Sequence, residues 1–236
     1  MSMSAAKGKR KEAKDLWRQK KWYEVLAPSA FGEVSVGSIP ALEQNSLIGR
    51  TVEATLYDIT GDYNQVHIKL KFQIIGVDGH SAKTRFKGHE LARDYLKVLT
   101  RRRSSKIQGI FKVETKDGYV MRVAVAAFTS FKANSNQKRT IRKIMERIVT
   151  ERAKEMNFDD LVQAFIGDKI SSEIFSEAKK VFPIRKVEIY KSKLLLVPGP
   201  HGPQKAVIPP GTTSVYQPPE VQEEEKEEEK EEEPAQ

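Results

Sequence analysis

The amino-acid sequence predicts an α+β fold, with mostly antiparallel strands and separate helices. Polar and apolar side chains alternate along His67–Ile74, as they do in a strand with one buried face. Asp78-Gly79 and Asp117-Gly118 each separate two β-type runs, and Asp-Gly in such a position favours a tight hairpin. Further along the chain, apolar side chains recur at helical spacing, at Ile141, Ile144, Met145, Ile148 and Val149.

The first half of the chain is predicted to form strands over residues 30–87 and then a helix. Every second side chain of Val52–Leu56 is apolar, which favours a strand over 50–57. The Asp78-Gly79 turn then connects two strands into a hairpin. Residues 89–101 have the apolar spacing of a helix that ends in a basic run.

The second half is predicted to contain two strands, three helices and a last strand. Ile107–Thr115 and Tyr119–Phe131 flank the second turn, and the latter is almost continuously apolar, as in a strand buried on both faces. Three helices are predicted over 136–156, 158–166 and 169–181, with Pro183 after the last of them, and a strand over 184–197.

Charge and proline are unevenly distributed along the 236 residues. Seven of the eleven prolines lie in 198–219, which predicts an extended linker, and the ten Glu and two Lys of 220–236 predict a disordered acidic tail. The tail has a charge of −8 and the whole chain has a net charge of +9, so the other 219 residues carry +17. We predict a basic arm over 1–24 and a globular body over 25–197. The basic excess favours a polyanionic partner, nucleic acid first and an anionic membrane second.

Basic residues concentrate in the arm, in the run that begins near residue 93 and in the helix over 136–156. The arm also contains tryptophans, which can stack on exposed bases, although a solubilising tail is the alternative interpretation. The helix dipole explains one or two cations at the end of a helix, but not a longer basic run. Helix faces that only contact solvent usually contain both acidic and basic residues. The predicted RNA-binding residues are Lys9, Arg10, Lys11, Lys14, Trp17, Arg18, Lys20, Lys21, Trp22, Arg93, Lys97, Arg101, Arg102, Arg103, Lys106, Lys138, Arg139, Arg142, Lys143 and Arg147.

The sequence contains no familiar catalytic or metal-binding motif. There is no Cys, which excludes disulfides, thiolate zinc sites and thiol nucleophiles. None of the four His, including His89, stands at metal-ligand spacing from another, and we expect each to be an ordinary surface residue. Asp159-Asp160 suits a helix start better than a metal site. We therefore predict a non-enzyme with no cofactor and no metal, and the lack of a signal or membrane-length apolar run predicts a soluble, cytoplasmic protein.

Several short segments match a known family in order along the chain. They are Gly49–Ile59, Phe86–Gly88, Leu91–Tyr95, Val98–Arg103, Lys116–Tyr119, Ile141–Ile144 and Phe182-Pro183. The ordered set resembles the eS1 family of small-subunit ribosomal proteins, called S3a in eukaryotes, over about residues 14–197. The chain is short between Phe131 and Ile141, which indicates the archaeal branch rather than the eukaryotic one.

The resemblance implies a β-barrel-like core with flanking helices and no catalysis. It also implies a position on the platform of the small subunit, near the messenger RNA exit and the 3′ end of the ribosomal RNA, beside other ribosomal proteins. We predict a structural constituent of the ribosome that binds small-subunit ribosomal RNA and supports translation. The alternatives are a free RNA-binding chaperone or translation factor and an RNA-processing enzyme of unfamiliar type; a membrane-surface protein is disfavoured, because the basic helices lack aromatic anchors.

Overall fold

The computed structural model describes residues 17–199 and 204–206. Within these residues one sheet contains nine strands: β1 Lys21–Leu26, β2 Ser35–Ala41, β3 Thr51–Thr55, β4 Ile68–Asp78, β5 Ser81–Leu91, β6 Lys106–Glu114, β7 Val120–Thr129, β8 Ile184–Val197 and β9 Gln204–Lys205. The α-helices described are α1 Leu56–Thr60, α2 Arg93–Leu99, α3 Ser135–Glu155, α4 Phe158–Ile166 and α5 Lys169–Lys179. This mixture of sheet and helix confirms the predicted α+β class.

Strand β5 organises the sheet because three other strands pair with it. β4 forms an antiparallel ladder along nearly its whole length, β1 pairs in parallel with its first residues, and β8 meets it at Glu90. From β8 the sheet continues through β7 to β6, and β3 lies on the other side of β4. The β1–β5 ladder is parallel and the other ladders described are antiparallel, as predicted.

The larger of the two buried clusters in the described part of the chain connects β3 and β4 to β6, and the smaller one lies beside β1 and β2. Ala54 of β3, Leu70 of β4 and Val113 of β6 belong to one cluster of buried side chains, together with the inner faces of α3, α4 and α5. Strands β3 and β6 lie far apart in the strand order, so the core extends across most of one face of the sheet and is covered by the three helices. Among the described residues no ladder connects β3 to β6, so hydrogen bonds do not close the sheet into a barrel.

Periodicity predicted most elements well. The two Asp-Gly hairpins form as β4–β5 and β6–β7, and β8 has the predicted bounds. In α3 the predicted stripe faces inward, with Ile141, Met145 and Val149 fully buried. Strand β7 is buried on both faces except at Arg122. These elements formed as expected because each pattern matches the burial that its neighbours impose.

Most other differences are of one or two residues at an element's end, but four boundaries differ in what they imply for the fold. The helix placed at 89–101 begins only at Arg93, because residues 89–91 continue β5 and pair with β4. The strand placed at 50–57 ends at Thr55, whose side chain caps α1 through the amide of Asp58. The last four residues of the predicted arm lie in β1, and Gln204-Lys205, inside the predicted linker, pair with β8. The other limits of the predicted domains stay predictions.

Candidate nucleic-acid interface

The predicted RNA-binding residues that the structure describes lie on the surface. Lys9, Arg10, Lys11 and Lys14 fall outside the described residues. Lys20 and Lys138 are half-buried. The others are exposed: Trp17, Arg18, Lys21, Trp22, Arg93, Lys97, Arg101, Arg102, Arg103, Lys106, Arg139, Arg142, Lys143 and Arg147. Their contact with RNA stays a prediction, but their placement is compatible with it.

A buried hydrogen-bonded junction brings two of the basic segments together. The amide of Ser105 donates to Thr129 Oγ1 (2.9 Å), and the amide of Ala133 donates to Ser105 Oγ (3.1 Å). Ser105 and Thr129 are both buried, so these bonds are shielded from water. The junction holds the loop that follows Arg103 against the loop that begins α3 at Ser135.

The two segments therefore form one continuous area, which we call the α2–α3 basic surface. Arg142 adds a second link between α3 and β6, because its Nε donates to the carbonyl of Gln108 (3.0 Å). Its side chain remains exposed. The surface consists of Arg101, Arg102, Arg103, Lys106, Lys138, Arg139 and Arg142. A concentration of cations like this one suits phosphate contacts, which are made chiefly by Arg and Lys.

Helix α2 is fixed to the sheet by a cluster around Tyr95. The Tyr95 hydroxyl donates to the carboxylate of Glu188 on β8 (2.9 Å), and Lys186 Nζ donates to Tyr95 Oη (2.6 Å). Lys186 also pairs with Glu188 (2.6 Å). Burial favours the neutral amine, but the hydrogen bonds to Glu188 and Tyr95 outweigh it and raise the pKa of Lys186. Because the cluster anchors α2, it also positions the arginines that follow this helix.

The basic face of α3 is less one-sided than its sequence indicates. Arg147 forms an ion pair with Glu177 of α5, and Arg152 pairs with Glu173 of the same helix (2.9 Å). Both pairs lie at the surface, where an ion pair is worth only about 0–1 kcal/mol. Phosphate would have to displace Glu177 to reach Arg147, so this residue is a weaker candidate than Lys143, which is exposed and without an ion pair in the described residues.

The N-terminal aromatics form a second, separate surface. Trp17 is 59% exposed and Trp22 is 60% exposed, and Lys20 Nζ lies 4.0 Å from the centroid of the Trp17 ring. β1 pairs with the first residues of β5, whereas α2 follows its last residue. Because β5 is 11 residues long, roughly 30 Å of strand separates the two surfaces. One compact phosphate group cannot contact both, but an extended polyanion can.

His89 is buried, so the expectation that it is an ordinary surface residue is wrong. It is 3% exposed, and its Nε2 lies 2.9 Å from the carbonyl oxygen of Ile189. Its Nδ1 lies 2.7 Å from Ser192 Oγ, and the Ser192 hydroxyl also accepts the His89 amide (3.1 Å). Burial lowers the pKa of His89. The imidazole therefore connects β5 to β8 as a neutral structural group, at a place where the two strands share few backbone bonds.

The comparisons with known proteins decide the family. The sequence profile of the Ribosomal S3Ae family matches residues 8–198. This chain belongs to the Ribosomal S3Ae family. Ribosomal S3Ae proteins are structural components of the ribosome and not enzymes, in agreement with the prediction from the missing catalytic motifs.

Three relatives are named "Small ribosomal subunit protein eS1". The chain is 57% identical to the protein from Desulfurococcus amylolyticus over 195 residues, which is 83% of this chain and 92% of the relative. It is 55% identical to that from Staphylothermus marinus over 195 residues, with the same two shares, 83% and 92%. It is 53% identical to that from Saccharolobus solfataricus over 191 residues, 81% of this chain and 92% of the relative. These relatives are archaeal, which confirms the predicted branch of the S3Ae family.

The described residues of this S3Ae protein contain neither a metal-binding cluster nor a membrane-spanning helix. Residues 17–199 and 204–206 contain no group of three or more His, Asp or Glu side chains placed to hold a metal ion. In the same part of the chain, no helix has both the length and the apolar character that crossing a bilayer requires.

Proposed function

We propose that this protein is a structural constituent of the small ribosomal subunit, where it binds small-subunit ribosomal RNA and supports translation. The observation that carries the proposal is the family match over residues 8–198, together with relatives that are named small-subunit proteins. We further propose a position on the platform, near the messenger RNA exit and the 3′ end of the ribosomal RNA, beside other ribosomal proteins.

The proposed mechanism is neutralisation of phosphate by fixed cations. Outside the acidic tail the chain has an excess of +17, which its own acids cannot balance. The α2–α3 basic surface would bind the backbone of structured RNA, and each phosphate contact would release condensed counterions. The exposed tryptophans of the second surface would stack on unpaired bases, a common way for proteins to bind single-stranded RNA. Two surfaces about 30 Å apart would then recognise RNA by shape more than by sequence.

Replacement of Arg101, Arg102 and Arg103 with Ala tests this mechanism. The three side chains are exposed, so the variant should fold normally, and Ala adds no strain at Arg103, whose φ of 60° already carries a Cβ. We expect weaker incorporation into small subunits, measured as the fraction of protein that sediments with them. A variant with Lys169, Lys179 and Lys180 changed to Ala loses the same charge on α5 and the residue that follows it, and is the matched control.

The salt dependence of sedimentation separates the proposed role from that of a free RNA-binding factor. A structural constituent should remain with small subunits through a high-salt wash, whereas a chaperone or translation factor should wash off. Crosslinking of the retained protein to ribosomal RNA tests the proposed position, because the crosslinks should lie close to the 3′ end. If the arginine variant sediments as well as the wild-type protein, the α2–α3 basic surface is not the RNA contact.

A further inference from the structure

The outer face of strands β6, β7 and β8 carries three cations in one line. Lys112 lies directly opposite Arg122, and Arg122 lies directly opposite Lys193. Directly opposed residues of neighbouring strands point to the same face of a sheet, and all three side chains are exposed. Their neighbours on the other face, such as Val113, are buried in the core. We call Lys112, Arg122 and Lys193 the cationic row.

Such a row opposes folding unless something neutralises it. Like charges directly opposite each other in a sheet are destabilising. Among residues 17–199 and 204–206, none of the three cations forms an ion pair, although Glu114 lies two positions from Lys112 on the same face. The chain thus keeps a repulsive arrangement that its own described acids do not neutralise.

The adjacent part of the same face shows the opposite arrangement. Lys191, two residues before Lys193, pairs with Glu90 (3.2 Å). Lys71 pairs with the same carboxylate (3.3 Å) and with Glu53 (2.9 Å). Neutralisation by acids is therefore available on this face, and it stops at the cationic row. An unneutralised line of charge beside a neutralised one is the pattern expected of a binding surface rather than of a random solvated face.

Lys87 extends the positive charge onto β5. Its amine donates to Thr51 Oγ1 (2.8 Å), which fixes the side chain in place. Burial lowers the pKa of Lys87, and the nearby charges of Lys193 and Lys71 lower it further. The charge of Lys193 at the β8 end of the row therefore acts on the neighbouring amine of Lys87.

We propose that the cationic row binds the phosphate backbone of an RNA strand, as a contact distinct from the α2–α3 basic surface. Neighbouring strands are about 4.8 Å apart, so the row presents a charge every few ångströms along a line, which suits consecutive phosphates. Lys112 lies six residues along β6 from Lys106, or about 20 Å, so the two contacts engage different parts of the RNA. The inference rests on the proposed function, since it assumes that the chain binds RNA.

The test is a full-length variant in which Lys112, Arg122 and Lys193 are all changed to Gln. Affinity for a mixed-sequence RNA hairpin is measured over a range of salt concentrations. Each phosphate contact contributes about 0.7–0.9 to the slope of log affinity against log salt, so loss of three contacts should make the slope shallower by about two to three units. The matched control changes Lys169, Lys179 and Lys180 to Gln. It loses the same charge on α5 and the residue that follows it, and because α5 packs on the core side of the sheet, the control should keep the wild-type slope.

Stability measurements exclude a folding defect as the cause. Because the substitutions relieve opposed like charges, the row variant should melt at the same temperature as the wild-type protein or higher. A slope equal to that of the wild-type protein would overturn the proposal while leaving the proposed function intact, provided that the wild-type protein enters small subunits. If the row variant keeps the RNA slope but loses binding to a poly-glutamate peptide, the row is a docking surface for acidic protein and the proposal is wrong.

Discussion

His89 provides a sharp test of the core, because it links pH to stability through one side chain. Nε2 donates to the carbonyl of Ile189, so in the neutral ring Nδ1 accepts from the Ser192 hydroxyl. Both ring nitrogens are thus satisfied without a second proton. Protonation would place a charge on a side chain that is only 3% exposed. It would also make Nδ1 a donor that faces the Ser192 hydroxyl, which already donates to Nδ1.

The direction of the pH effect follows from this burial. Burial lowers the pKa of His89 in the folded protein, whereas an unfolded His titrates near pH 6.5. Below about pH 6.5 the unfolded state therefore binds a proton that the folded state does not, and stability falls as pH falls. One such proton costs at most about 1.4 kcal/mol per pH unit, so the loss of unfolding free energy between about pH 7.5 and about pH 5.5 is up to ~1.4 kcal/mol.

Urea unfolding at the two pH values measures this loss in the wild-type protein and in a His89→Gln variant. Gln does not titrate and its amide can still donate to the Ile189 carbonyl. The variant should be less stable than the wild-type protein, but its unfolding free energy should lack the pH dependence that His89 contributes. Carboxylates such as Asp168, whose pKa burial raises, act equally in both proteins and cancel in the difference. Equal pH dependence in the two proteins would refute the reasoning, and His80→Gln, at an exposed position, is the control that should change nothing.

Two further predictions concern the loops that carry the basic residues. Thr129→Val keeps the shape of a fully buried side chain but leaves the Ser105 amide without its acceptor. The free energy of unfolding, measured in urea titrations, should therefore fall by about 1–3 kcal/mol. A change within error would show that the junction is dispensable. Arg103 has a φ of 60°, a left-handed conformation that costs most L-residues about 1–2 kcal/mol, so Arg103→Gly should raise the melting temperature slightly while weakening RNA binding in the same preparation. A variant that loses both stability and affinity would contradict this separation of fold from function.

Local pattern predicted the elements of this fold but not the contacts between distant ones. The hairpins and α3 follow from alternation and helical spacing, which the residues themselves display. The parallel pairing of β1 with β5 and the pairing of β5 with β8 at Glu90 join segments far apart in sequence. No local periodicity encodes such a contact, and this is why the burial of His89 between two strands was missed.

The candidate sites show the same division. The arginines after α2 and the basic residues of α3 were found because they are clustered in sequence. The cationic row was not found, because Lys112, Arg122 and Lys193 become neighbours only through the register of three strands. The sequence groups Arg147 with the other cations because Glu177, with which it pairs, is 30 residues away along the chain. A count of charges along the sequence therefore overestimates how many cations are free to bind RNA. It also overlooks cations that become neighbours only when the strands pair.

The position of β8 has a consequence for how this chain is made. β1–β5 form one portion of the sheet and β6–β7 another, and β8 is the strand that pairs with both. During synthesis, the strand edges that pair with β8 stay unpaired in both portions until residues 184–197 leave the ribosome. Open edges invite pairing with other chains, so premature termination before this strand should yield aggregating products rather than a smaller working protein. The strand that joins the two portions is therefore translated only after both of them, so the order of the chain delays the pairing that connects the sheet.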